Sequence, residues 1–233
     1  MCLVDPLTPH NRPDWPFSCV EVTMALSPYE ELKWLFSELL NESLQAQDSS
    51  IVWEFLQLLD EGDREDLLQY LFGQALIAKV WWLAEDCLAY GLSIAPKDGC
   101  ADGPLHVALY YCGDSPDVVA WMLDHGAELE RRDWGQSNTT PLMHATALGL
   151  VAVVELLLQR GADPNARRVI DDDDTALMLA AKTGNKKIVE LLLAYGAEID
   201  RRNRWGQDAA ILARSAGHGD VYQLIQGRAA GWH

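Results

Sequence analysis

The sequence predicts an all-α fold, a solenoid of stacked helix-turn-helix hairpins with a helical N-terminal cap. Three observations predict it. Gly-Ala followed by an acid recurs at Gly126-Ala127-Glu128, Gly161-Ala162-Asp163 and Gly196-Ala197-Glu198, at intervals of 35 residues. A second anchor keeps the same rhythm: Pro104-Leu105-His106-Val107-Ala108, Thr140-Pro141-Leu142-Met143-His144-Ala145, Thr175-Ala176-Leu177-Met178-Leu179-Ala180 and Asp208-Ala209-Ala210-Ile211-Leu212-Ala213. Matching apolar stretches precede the three glycines at residues 119–123, 154–158 and 189–193. A fixed period of this length marks an array in which each unit is one supersecondary element.

In chain order, residues 1–23 carry Pro6, Pro9, Pro13 and Pro16 without a helical period and read as an extended, poorly structured arm. Met24-Ala25-Leu26-Ser27-Pro28 reads like a start just before a helix, so these residues are either an upstream extension or a loose arm. Residues 24–90 read as an acidic helical cap. Ser27-Pro28-Tyr29-Glu30-Glu31 opens a helix with a capping serine, a proline in first position and acids in the first turn. Ser50 starts a second helix bearing Val52, Trp53, Phe55, Leu56, Leu58 and Leu59, which Glu61-Gly62 ends. Asp63 caps the next. Residues 75–89, with Trp81 and Trp82, form one apolar helix or a pair. Gly91 lies one period before Gly126, so residues 64–91 read as a degenerate repeat inside the cap. The aromatic stripe reads as core, with a hydrophobic docking surface as the alternative.

Residues 91–233 hold the repeats and a C-terminal capping unit. Thr140 and Thr175 stand at helix N-caps, and Pro141 takes the first helical position. A short helix of small residues follows, and Gly149 or Gly184 turns the chain. The second helix begins near Val151, with Val153, Val154, Leu156, Leu157 and Leu158 as its apolar residues. Ala145, Ala147, Ala180 and Ala181 are small where neighbouring helices approach. One hairpin cannot bury both faces, so copies must stack. From Gly126 to Pro141 and from Gly161 to Ala176 is 15 residues, against 13 from Gly196 to Ala209, so the two central loops are longer. The first unit has a longer internal turn through Gly113, Asp114 and Ser115.

These lines resemble the ankyrin family, whose TPLHxA signature and LLxxGA ending recur here over roughly residues 91–226. The resemblance implies a concave face, made by loop tips and the first helix of each unit, that binds another protein. It also implies that His106 is the structural histidine that hydrogen-bonds across turns. The partner-binding residues expected on that face are Tyr110 and Tyr111, then Trp134, Gln136 and Asn138. Further along come Arg168, Asp171, Asp172, Asp173 and Lys182, and last Arg204 and Trp205. Tyr110 and Tyr111 are adjacent on a helix and cannot both face the core. Each tryptophan at a loop tip is either an interface anchor or lies flat on its neighbouring loop.

The formal net charge is −17, from 35 Asp and Glu against 18 Lys and Arg. Residues 1–100 hold 17 acids and 5 bases, so most of the surplus sits in the cap. This charge opposes binding to nucleic acid and to anionic membranes, and it favours a partner with a basic surface. No apolar run is long enough to span a bilayer, and no secretion signal is seen, so a cytoplasmic location is expected. The five cysteines show no metal-like spacing and read as reduced thiols. No cofactor, metal site or enzyme motif is found. The acids at 171–174 are consecutive, unlike a spaced calcium loop, and read as a charged binding loop. His125 and His218, beside turn glycines, read as solvent-facing.

A non-enzymatic protein-binding module, monomeric by itself, is therefore expected. The leading specific expectation is an inhibitor or immunity protein that neutralises a toxin or effector, such as a basic nuclease. It rests on small size, acidity and a fold-level analogy with small ankyrin proteins found beside secreted toxins. The alternatives are a general adaptor or host-directed effector scaffold, and an acidic phosphate mimic that blocks a DNA-binding protein.

Overall fold

The computed structural model describes residues 45–46, 48, 50–59, 61–92, 94, 104–133, 138–168 and 172–229. The expected arm, the helix expected after Ser27, and Trp134, Gln136 and Asp171 lie outside the described residues. The chain divides into two compact units, residues 1–67 and 68–233.

In the first unit, helix α1 spans Ser50–Gln57. Asp48 caps it by accepting from the Ser50 backbone N–H at 2.9 Å. Val52 and Leu56, one turn apart, are both fully buried. Helix α2 spans Glu61–Ile77 and so starts before Asp63, the residue expected to cap it. The reason lies at the end of α1: Arg64 donates from Nε to Leu56 O (2.8 Å) and from Nη2 to Leu59 O (2.7 Å). Its guanidinium satisfies carbonyls that α1 leaves open, which ties the two helices through a tight turn.

In the second unit, Lys79 adopts a φ of 56° and breaks the apolar run, so residues 75–89 form two helices. Helix α3 spans Trp81–Ala89, and Trp81 stacks on Trp121 with ring centroids 5.9 Å apart. Four hairpins follow. They are α4 (Pro104–Cys112) with α5 (Pro116–Asp124), α6 (Pro141–Leu148) with α7 (Val151–Gln159), α8 (Ala176–Thr183) with α9 (Lys186–Ala194), and α10 (Ala209–Ser215) with α11 (Gly219–Ala229). The first helices pack in one row, α4 on α6, α6 on α8 and α8 on α10; the second helices pack in another, α5 to α11. Between the rows lie Leu109, Leu142, Met143, Leu157, Leu177 and Leu192, all essentially inaccessible. Ala145, Ala180 and Ala181 are buried as expected, whereas Ala147 is exposed because it points away from the row.

The repeated residues act as expected at the helix ends. Thr140 and Thr175 accept from the backbone N–H groups of Met143 and Met178. In the last hairpin Asp208 takes over, accepting from Ile211 N at 2.9 Å. The second helices of the first three hairpins end in one way: Ala127 N donates to Met122 O, Ala162 N to Leu157 O and Ala197 N to Leu192 O, at 2.9–3.0 Å. Leu92 N donates to Cys87 O at 3.1 Å in the same arrangement at the end of α3. Helix α7 is different, because Leu150 has no side chain able to cap it. Asp114, in the longer turn of the preceding hairpin, supplies the acceptors instead, to Ala152 N (3.2 Å) and Val153 N (3.0 Å). A carboxylate there also suits the positive end of the helix dipole.

Gly149 and Gly184 end α6 and α8 with φ of 76° and 73°. They differ in what surrounds them. A Cβ on Gly149 would meet only the Asn185 side chain at 3.6 Å, whereas one on Gly184 would lie 2.5 Å from the His218 ring. His218 is therefore half-buried against Gly184, with Nε2 3.2 Å from Lys182 O, and is not the solvent-facing residue its glycine neighbours suggested. Gly149→Ala should cost about 1–2 kcal/mol for left-handed strain alone, and Gly184→Ala clearly more. Adding His218→Ala to Gly184→Ala should bring its cost back toward that of Gly149→Ala. Urea unfolding of the three variants checks this, and equal costs for the two glycine variants would refute the contact.

Candidate protein-binding surface

The loops between hairpins define the surface. A backbone bond closes each at its base: Asp133 N to Thr139 O (3.0 Å), Arg168 N to Asp174 O (3.0 Å) and Asn203 N to Gln207 O (2.9 Å). The first two closures span six residues and the third four, which locates the extra length of the central loops. Successive loops are tied by arginines one period apart. Arg132 Nη1 donates to Arg167 O and Arg167 Nη2 to Arg202 O, both at 2.8 Å, while Arg202 closes on Gly206 O of its own loop at 3.4 Å. Nearer the ends of the second helices, Glu130 accepts from Asp163 N, and Asn165 accepts from Glu198 N and donates to Gly196 O.

The consecutive acids at 171–174 are not a uniform charged patch. Asp174 is wholly buried and is bonded to Lys182 Nζ and to Asn203 Nδ2 (3.1 Å). Asp172 pairs with the same Lys182 at 3.0 Å, and its carbonyl accepts from Arg204 N at 3.0 Å. Asp173 pairs with Arg167. Alternation of side chains along this loop sends neighbouring carboxylates to different partners, which a count of acids cannot show. Burial pulls the Lys182 pKa down, but its hydrogen bonds to Asp174 and Asp172 and their charges together outweigh this, and the net shift is upward. The stability this ammonium contributes is fully present below the ordinary lysine value and is lost only as pH rises through the raised one.

The aromatic residues stand apart from this framework. Tyr110 is 67% exposed and Trp205 59% exposed. Tyr111 is half-buried and meets Tyr110 edge to face at 5.1 Å. Trp205 sits in a turn made by Asn203, whose Oδ1 accepts from the N–H groups of Trp205 (3.1 Å) and Gln207 (2.9 Å). Arg204 is exposed beside it. Asn138 adopts a φ of 45°, and both its oxygens accept from Arg132, so its amide holds the loop. Between α6 and α8 lies a pocket of about 210 Å³ lined by Thr139, His144, Ala147, Leu148, Arg168 and Leu179.

Two exposed apolar side chains extend this surface, Val107 and Leu148, each 44% exposed. Val107, Tyr110 and Tyr111 are spaced i, i+3, i+4 and share one helix face. Val107 was legible in principle, since it fills the variable position of the repeated signature. His106 is buried, with Nε2 3.0 Å from Thr139 O, the bond between adjacent units that the resemblance implied. His125 is exposed, but it is stacked on Trp121 at 3.9 Å and bonded to Trp121 O at 2.8 Å.

Among the described residues no helix is long and apolar enough to cross a membrane. A family model described as ankyrin repeats, in three copies, matches residues 61–168 and again 167–230. Among curated proteins none matches the chain.

Lys182→Met should strand the buried Asp174 carboxylate and cost about 3 kcal/mol in unfolding free energy. Adding Asp174→Asn should recover most of that loss, and urea unfolding of the single and double variants measures the coupling. A loss under about 1 kcal/mol for Lys182→Met would show that solvent screening has already removed the pair's value.

Proposed function

The chain belongs to the ankyrin-repeat family, whose stacks are protein–protein interaction modules, and on that premise we propose that it is an inhibitor that occupies a basic protein such as a toxin or effector enzyme. The observation that carries the binding part is the exposure of Tyr110 and Trp205 on a surface where Arg132, Arg167, Asp172, Asp173, Asp174 and Lys182 are bonded to one another or to loop carbonyls. Large aromatic side chains held on short helices and closed turns lose little entropy on docking and are the residue types that dominate interface energetics. Around them the chain carries −17 formal charges, and such a field speeds encounter with a positively charged partner.

The inhibitor reading is favoured over a phosphate mimic by the pairing of the acids. Asp172, Asp173 and Asp174 are bonded to Lys182, Arg167 and Asn203 and do not form a free row of charge spaced like a phosphate backbone. An adaptor uses the same surface and differs only in what the partner does.

Full-length chain used as bait in native lysate, followed by mass spectrometry, identifies the partner. Growth on co-expression with that partner then shows whether its toxicity is neutralised. Tyr110→Ala and Trp205→Ala should each weaken the purified complex by about 2 kcal/mol, roughly 30-fold in Kd, with no change in circular dichroism. Raising salt should slow association more than it speeds dissociation. A partner bound equally well by both variants would remove these residues from the interface, and a non-toxic partner would replace the inhibitor reading with an adaptor.

A further inference from the structure

We propose that His106, Asp133 and His144 form a binding site for a divalent transition-metal ion, zinc being the best fit, that clamps the first two described hairpins of the stack together. The residues come from α4, from the loop after α5 and from α6. One ligand atom from each lies within 4.8 Å of the others. Imidazole nitrogen and carboxylate oxygen are a donor set that zinc accepts at about 2.0–2.2 Å, so closing the site takes small side-chain rotations of roughly 1 Å.

The supporting groups are already in place. The Thr139 carbonyl, 3.0 Å from His106 Nε2, accepts a hydrogen bond from the N–H there, which leaves Nδ1 as the atom able to ligate. The same threonine donates to the Asp133 carboxylate twice, from its backbone N–H (2.7 Å) and from Oγ1 (3.0 Å). One residue therefore orients two ligands. A carboxylate has about four acceptor sites, so two hydrogen bonds leave it able to coordinate a cation.

Charge supplies a second, independent reason. Asp133 is only 8% exposed, and the donors that hold it are neutral. Asp174, the other deeply buried aspartate of this surface, is paired with the Lys182 ammonium. A buried carboxylate gains from a cation beside it, and a divalent ion between Asp133 and two imidazoles supplies one. Entry is available, because His144 and Thr139 also line the 210 Å³ surface pocket. Three protein ligands leave one position of a tetrahedral ion to water.

The test uses chelator-treated full-length chain titrated with Co²⁺, read by its visible d–d absorption, and then with Zn²⁺ in competition. Because the chain has other histidines and five cysteines, variants decide where the ion sits. Wild type should take up one Co²⁺ that Zn²⁺ displaces. Zn²⁺ should also raise the thermal unfolding temperature, since it binds only the folded site. His144→Gln should abolish this uptake. Thr139→Val, which keeps the ligands and removes one supporting hydrogen bond, should weaken it by about 10–100-fold. His125→Ala should leave it unchanged. If His144→Gln does not fold by circular dichroism, the comparison of Thr139→Val with His125→Ala carries the decision. No uptake by folded wild type overturns the proposal, and so does uptake that His144→Gln or Thr139→Val leaves unaltered.

Discussion

The bond from Arg132 Nη1 to Arg167 O, repeated one period later from Arg167 Nη2 to Arg202 O, sets the spacing of the stack. Loops between hairpins have no strand partner for their backbone, yet polar groups there must be satisfied. A guanidinium reaching from the preceding repeat meets that need, and a hydrogen bond to a charged donor contributes about 1.5–3 kcal/mol. With the loops held at one offset, the caps Thr140, Thr175 and Asp208 begin their helices at matching heights. The buried alanines then face one another without gaps. Arginine suits this task better than lysine, because its planar fork keeps several donors in fixed geometry.

That framework also decides where charge is left over. Arg132 and Arg167 are committed to loop carbonyls, Lys182 to Asp172 and Asp174, Arg160 to Asp124, Arg201 to Glu198, and Lys79 to Asp117. Many of the 18 basic side chains thus serve internal bonds, while the 35 acids exceed them nearly two to one. The long-range field is acidic as a result, even though the acids of the 172–174 loop are locally neutralised. On the proposed function, steering and anchoring would therefore fall to different residues: diffuse carboxylates for the first, and Tyr110 and Trp205 for the second.

Much of the repeat was legible because it depends on neighbours in sequence. A threonine three residues before a backbone N–H, or a glycine after a helix, acts within one turn of chain. What was not legible depends on stacking. Asp114 caps a helix whose first residues lie 38 and 39 positions away, and no local pattern announces it; only the absence of a capping side chain at Leu150 hints that one is needed. The same holds for Asp174, which reads as one more surface acid until Lys182 and Asn203 close over it. His218 was misplaced for this reason too, since the glycine that makes room for its ring belongs to the preceding hairpin. The arginine ties could have been found, because Arg132, Arg167 and Arg202 keep the 35-residue interval as strictly as the glycines do.

Variation along the stack includes positions on the first helices that most hairpins leave exposed or half-buried. Val107, His144 and Leu179 occupy the same place on successive first helices, as do Tyr110, Ala147 and Lys182; the first row goes from aliphatic to imidazole and back to aliphatic, the second from aromatic to small to charged. The loop closures change from six residues to four over the same distance. A partner docking on these rows, as proposed, would meet different side chains at each hairpin, which would select a single docking position. Such selection works only if adjacent hairpins cannot slide or part. The junction at α4 and α6 lies beside Tyr110 and Tyr111, and there Thr139 gathers His106 and Asp133 around one point. Rigidity at that junction holds Tyr110 at a fixed offset from the pocket beside His144, and on the proposed function recognition would depend on that offset.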